Sequence, residues 1–250
     1  MHRFYIPPAD CAGDRLRLTG REAHHALNVL RLRAGETVTV LDGAGHEFVC
    51  EMENVARQVV SLAIRERNFV PPLPCQITLI QALPKGKIMD SIIQKAVELG
   101  ARRIIPLLSE RVVSHLDDEG AEGKREKWQQ AAIEAIKQSG AAWLPTVVAP
   151  VSVKEFLARP EPFDLALVGS LQNERRHPRE CLAEYAVQHG GPPASVGVWI
   201  GPEGDFTAAE LAGIQATGAQ PVSLGRLVLR VETAAIYCLS FLNYELNTTP

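Results

Sequence analysis

Apolar residues over the first 67 positions fall in short runs of β-branched or alternating character: RFYIP, LRL, ETVTVLD, HEFVCEME and VVSLAIRER. Runs of that length, parted by turn-forming residues, predict strands. DGAG at 42–45 lies between two of them and predicts a hairpin. A short helix over residues 21–30 is expected to interrupt the strands, and so many short strands in so small a segment predict a compact all-β barrel. VTVLDGAGHEF also has the strand-plus-glycine look of a Rossmann-type first βα turn, which holds a cofactor. That motif needs a helix next, whereas residues 47–52 continue as a strand, so the hairpin is expected.

The pattern changes after NFVPPLP at 68–74. Prolines so close together continue neither a ladder nor a helix and make a stiff linker. Two domains are therefore expected, residues 1–70 and 71–250. In the second, residues 77–83 predict a strand. Ile88, Ile92, Ala96 and Leu99 share one helix face, and Gly100 closes that helix. Residues 103–108 predict another strand, in which Pro106 marks an end or an edge. Residues 117–126 read as a polar loop leading into a helix over 124–139. A strand over 163–169 and a helix over 178–189 follow. Alternation of this kind predicts a mostly parallel sheet covered on both faces.

The last unit, VGVWIGPEGDFTAAELAGIQATGAQPVSLGRLVLRVETAAIY at 196–237, carries the densest signal. Its first residues predict a strand buried on both faces, stopped by Gly201, Pro202, Glu203 and Gly204. Thr207 and Glu210 form a capping box, so a helix is expected from there to near Gly218. A strand over 221–224 follows. Gly225 breaks it, and Glu232 with Thr233 starts the terminal helix.

Composition bounds the function more than it names it. A length of 250 residues, 46% hydrophobic, suits one large or two modest soluble domains. No window approaches the length of a membrane span, and MHRFYIPPAD has no apolar run of the kind a secretory signal needs. Cys11, Cys50, Cys75, Cys181 and Cys238 are scattered, without metal-ligand spacing, and read as buried, reduced thiols of a cytoplasmic protein. Net charge is −3, which disfavours binding nucleic acid through a global field. Only residues 12–34 are distinctly basic, with five Arg against Asp14 and Glu22. Any RNA contact is thus expected from a local patch and from shape. In the N-terminal region Arg3, Arg21, Arg31 and Arg33 are candidates for phosphate contact, or else a solvated basic face. His24 and His25 are adjacent on a helix and point in different directions, so packing or RNA contact is expected and no metal.

Two glycine turns at strand ends, with Glu203, Arg230 and Glu232 beside them, are either ordinary connections or a ligand site. Free backbone groups and close approach favour ligands at such turns.

IGPEGDFTAAE followed by SLGRLVLRVETAA resembles the family of ribosomal RNA small subunit methyltransferase E, a branch of the SPOUT methyltransferases. AHHALNVLRLRAGE, ALPKGKIMDSIIQKAVELG, PLLSERVV and KWQQAAIEAIKQSG agree with it in order, so the likeness covers nearly the whole chain. The resemblance implies a PUA-like RNA-binding β-barrel followed by a SPOUT α/β domain with a C-terminal trefoil knot, and a homodimer. It implies methylation of uridine N3 in 16S ribosomal RNA of the small subunit, with S-adenosylmethionine as cofactor. Ile200, Gly201, Pro202, Glu203, Gly204, Leu224, Gly225, Leu229 and Arg230 would hold the cofactor. Lys85, Lys95, Glu98 and Arg111 also match family motifs. Lys85 and Arg111, with Arg3, Arg21, His24, Arg31 and Arg33, are the expected RNA contacts. Lys95 and Glu98 equally suit a surface ion pair.

The implied reaction needs a proton acceptor for the N3 imide and a donor for charge gathering on the uracil oxygens. Arg230 is expected to be that donor. Glu203 and Glu232 compete for the proton, with a water as the third option. Either carboxylate could instead bind backbone N–H groups. Three features depart from the family pattern. Asp205 stands where a third glycine is usual, Ala141 and Ala142 where Arg and a polar residue are usual, and Val231 where Thr is usual. Two alternatives follow: the same fold acting on another RNA position, ribose 2′-oxygen or a tRNA base, or an RNA-binding assembly protein without catalysis.

Overall fold

The computed structural model describes residues 1–56, 58–111, 118–172 and 175–248. Its contacts divide the chain into two units: residues 1–72 with 133–144, and residues 73–132 with 145–250.

The first unit is built on a five-stranded sheet of β1 (Arg3–Tyr5), β2 (Arg15–Leu18), β3 (Thr37–Leu41), β4 (His46–Ala56) and β5 (Val59–Phe69). The order is β1-β3-β4-β5-β2. β1 lies parallel to β3 and the other pairs are antiparallel. Strict alternation sets which face is inside: Leu16 and Leu18 are buried while Arg15 and Arg17 are exposed. The hairpin at 42–45 forms as expected. Asp42 Oδ1 accepts the N–H groups of Ala44 and His46 at 2.7 and 2.9 Å, an Asx turn that Gly43 and Gly45 permit with φ of 71° and 97°. The β4–β5 register shifts at Val49/Cys50 and at Met52/Asn54. Such bulges bend long strands, and the sheet encloses Phe4, Leu16, Val38, Met52 and Leu62. The short helix is α1 (Gly20–His24) continued by a π-helical turn, His25–Val29.

Residues 133–144 belong to this unit through specific bonds. The Arg3 guanidinium donates to the carbonyls of Lys137 and Gln138 at 3.3 and 3.0 Å, satisfying groups that a helix end leaves open. Lys137 is 8% exposed and its Nζ sits 2.8 Å from Glu22. Trp143 Nε1 donates to the Val70 carbonyl at 2.9 Å.

The second unit is a parallel sheet of β6 (Gln76–Ala82), β7 (Ala101–Leu108), β8 (Thr146–Val147), β9 (Val151–Ser152), β10 (Leu165–Gly169), β11 (Ser195–Ile200) and β12 (Gln220–Val222). Its order is β12-β10-β11-β6-β7-β8, with β9 also on β7. Ile80, Ile105, Val168 and Trp199 pack on one face with Phe156, Leu211 and Ile214. Their neighbours Leu79, Ile104, Leu167 and Val198 point the other way and are equally buried. Both faces are therefore covered, as a parallel sheet requires. The helices after β6 are α2 (Ile88–Glu98), α3 (Asp118–Ser139), whose residues from 133 on belong to the first unit, α4 (Val153–Ala158), α5 (Pro178–His189), α6 (Ala208–Ala216) and α7 (Val231–Asn247).

Several expectations need correcting. Residues 118–126 are helical, the first turns of α3; their polarity belongs to an exposed helix, and Asp117 lies outside the described residues. Of the two alternatives for Pro106, an end or an edge, the edge holds, since β7 continues to Leu108. On its open flank β8 stops opposite Ile104 and β9 begins opposite Leu107, so the missing N–H falls where no strand needs it. The terminal helix begins at Val231, with Arg230 as N-cap and no side-chain cap bond. β8, β9 and α4 had no counterpart in the pattern.

Candidate active site

Three adjacent strands, β12-β10-β11, run parallel and end together at Val222, Gly169 and Ile200. The carboxyl ends of such strands are where open α/β sheets take ligands. The turn after β11 closes when Asp205 N–H donates to the Pro202 carbonyl at 2.9 Å. A Cβ on Gly201 would stand 3.1 Å from Asp205 Oδ1 and 3.2 Å from Phe206 N, so a side chain there would press on the turn and force its neighbours to shift. The capping box then starts α6. Thr207 Oγ1 accepts the N–H of Glu210 at 3.2 Å, and Glu210 Oε2 accepts that of Thr207 at 2.9 Å. The other Glu210 oxygen takes the N–H of Glu110 at 2.8 Å, which explains how a carboxylate stays buried.

After β10, Ser170 N–H donates to the Val222 carbonyl at 3.2 Å. After β12, Gly225 turns at φ 113°, a conformation that favours glycine. The chain then passes through exposed Leu227 and Val228 into α7.

These turns line one open cleft of about 590 Å³, counting the part open to solvent. Of the expected cofactor residues, Ile200, Gly201, Pro202, Glu203, Leu224, Gly225 and Leu229 line it. The late turns at 201–204 and 225–230 thus meet. Gly204 and Arg230 are not among the lining residues. The Gly204 carbonyl instead accepts the Arg111 guanidinium. Arg230 is exposed at the start of α7 and Glu232 is half-buried in its first turn. Glu203 Oε1 accepts the Lys85 N–H at 2.8 Å.

The cleft also uses residues the sequence did not single out: Gly169, Ser170, Leu171 and Arg175 among them. The strand ending at Gly169 was legible. The turn after it obeys the same rule about strand ends as the glycine turns at 201–204 and 225, and that rule is the available signal.

A larger cavity, about 1060 Å³ on the same measure, lies against Asp164, Leu165 and Gln220 at the amino ends of β10 and β12. It is lined by ion-paired and bonded carboxylates. Glu161 pairs with Arg103, Glu184 with Arg176, and Asp164 accepts two backbone N–H groups. The cleft at the carboxyl ends is the better candidate, because three parallel strands end at it and the turns that follow them line it.

In the first unit Arg3 is engaged with the α3 carbonyls and Arg21 lies 3.5 Å from Glu134. His24, Arg31 and Arg33 are exposed. Arg31 adopts φ 57°, unusual for a side chain of its size. Lys85 is exposed. Lys95 and Glu98 form the ion pair, at 2.8 Å.

The model of an RNA methyltransferase domain matches residues 71–243, and that of an RNA methyltransferase PUA domain matches residues 18–62. Ribosomal RNA small subunit methyltransferase E of Bacillus subtilis is 35% identical over 91% of this chain and 89% of its own length. The Synechocystis protein of the same name is 34% identical over 99% and 78%. A crystal structure of the Neisseria gonorrhoeae protein of that name, bound to S-adenosyl methionine, is 30% identical. It covers 98% of both chains with a TM-score of 0.85. With a PUA-like sheet in front, a parallel α/β unit behind, and relatives matching both, the chain belongs to the ribosomal RNA small subunit methyltransferase E family and is an RNA methyltransferase.

Proposed function

We propose that the cleft holds S-adenosylmethionine and that the enzyme methylates N3 of a uridine in 16S ribosomal RNA of the small subunit. The observation that carries this reading is the meeting of the turns after β10, β11 and β12 in one cleft. The residues present suit the cofactor. Leu224, Leu227 and Leu229 offer apolar surface for a purine, and Gly225, with nothing within 4 Å of where a Cβ would stand, leaves room for close approach. Bound there, S-adenosylmethionine supplies an electrophilic methyl carbon on a cationic sulfur.

Arg230 follows directly on Leu229, which lines the cleft, and no bond among the described residues fixes its guanidinium. It neutralises charge on the uracil oxygens as N3 loses its proton. Glu203 already accepts the Lys85 N–H, which favours Glu232, two residues after Arg230, as proton acceptor. Residues 1–70 form the RNA-binding domain and residues 71–250 the catalytic one. His24, Arg31, Arg33 and Lys85 are exposed and contact phosphate; Arg3 and Arg21 act through the α3 end. A homodimer, a trefoil knot in the C-terminal region and a cytoplasmic location complete the reading. They rest on the family, and no helix among the described residues is long and apolar enough to cross a membrane.

The test is methyl transfer from labelled cofactor to small subunits and to naked RNA, with nucleosides resolved by mass spectrometry. N3-methyluridine on the subunit is the expected product. A methyl group on ribose or on a tRNA base would replace this reading with another target.

A further inference from the structure

Asp205 occupies an unusual place. Apart from Arg31 it is the one non-glycine residue with positive φ among the described residues, at 64°. A side chain in that region of backbone space costs about 1 kcal/mol or more, though Asp tolerates it better than most. A glycine would avoid the strain. What the carboxylate adds is visible in its bonds. Oδ1 accepts the N–H of Phe206 at 2.8 Å, within its own turn. Oδ2 accepts the N–H of Leu171 at 3.1 Å, 34 residues away in the turn after β10.

Asp205 and Leu171 both line the cleft, so this one carboxylate spans from the turn after β11 to the turn after β10. The second turn is held on its other side as well, by Ser170 N–H on the Val222 carbonyl. Three strand-end turns are thereby linked in series, and Asp205 supplies the link between the first two. We propose that Asp205 is a positioning residue for the cofactor: it sets the spacing of two cleft walls before the cofactor arrives. The inference rests on the cleft being the S-adenosylmethionine site. It assigns Asp205 no contact with reacting atoms.

An aspartate present only because the turn tolerates it makes a different set of predictions, and two variants separate the cases. Asp205→Gly keeps the backbone conformation and removes both acceptors. Asp205→Asn keeps the turn but has one carboxamide oxygen for two N–H groups, so its NH₂ faces a donor. Calorimetric titration with S-adenosylmethionine is run on the full chain and both variants. Amide hydrogen exchange at Leu171 is followed on the same proteins without ligand.

Asp205→Gly is expected to bind about tenfold more weakly, the scale of one hydrogen bond to a charged group. Asp205→Asn should fall between it and the unmodified chain, and the Leu171 amide should exchange faster in both variants. If the unmodified chain binds and Asp205→Gly binds equally well, the positioning role is overturned while the cofactor site stands. Unchanged Leu171 exchange in Asp205→Gly overturns the role too. No binding by the unmodified chain overturns the cofactor reading itself.

Discussion

The Glu203 carboxylate and the Lys85 backbone are joined at 2.8 Å across 118 positions of sequence. The bond ties the turn after β11 to the loop after β6, which leads into α2. A glutamate used in this way needs an acceptor oxygen, not a titrating proton. Glu203→Gln keeps an oxygen for Lys85 and should leave kcat within about threefold, whereas Glu203→Ala should weaken cofactor binding by about 1–3 kcal/mol. Steady-state kinetics with both variants decides the matter. Equal losses of a thousandfold in kcat would instead make Glu203 the proton acceptor.

Arg230 has the opposite signature. It is exposed at the N-terminus of α7 and makes no side-chain cap bond. Arg230→Ala should therefore unfold at the same temperature as the unmodified chain. Its kcat should fall about 10²–10³-fold, the usual effect of losing one donor to a developing anion. Near-normal turnover would remove it from the chemistry.

Burial separates two lysines that look alike in the sequence. Lys137, at 8% exposure, faces Glu22, whereas Lys95 pairs with Glu98 at a partly exposed site. Lys137→Ala leaves a carboxylate with little water and should cost about 3 kcal/mol in chemical denaturation. Lys95→Ala should cost less than about 1 kcal/mol. Similar losses for the two would contradict the role given to the α3 end.

The thiols impose a pH limit. Burial pushes Cys50, Cys75 and Cys238 up to about 12 and Cys11 up to about 11, from an ordinary value of 9.0. The folded state thus holds these protons after the unfolded chain has begun to release them. Their contribution to stability is complete below pH 9 and is lost as pH rises from there toward 12. Denaturation midpoints measured from pH 8 to pH 10.5 should fall above 9, and the native thiols should resist alkylation at pH 7. Fast labelling at pH 7 would contradict their burial.

How much of this was legible depended on whether the signal was local. Thr207 with Glu210 marks a helix start with residues three positions apart, and α6 starts there. Alternation fixed β2, and DGAG fixed the hairpin. Two-residue strands such as β8 and β9 are too short to show a period, and the six residues of α4 hold barely more than one turn. The polar face of α3 resembled a loop because its early turns are mostly charged. At the site, glycine turns could be read because backbone freedom is written in one residue. The reach of Glu203 to Lys85 and of Asp205 to Leu171 could not, since both depend on strand order. Charge alone marks Arg3 as a candidate for phosphate contact or as part of a solvated basic face. Its bonds to Lys137 and Gln138 join residues about 135 positions apart.

The central claim is that the cleft where the turns after β10, β11 and β12 meet delivers a methyl group to a uridine of small-subunit RNA. Its most direct test is labelled methyl transfer to small subunits lacking the modification, for the unmodified chain and Arg230→Ala side by side. The expected result is about one N3-methyluridine per subunit with the unmodified chain and almost none with the variant. Label on any other nucleoside, or no transfer by a folded chain that binds S-adenosylmethionine, would contradict the claim.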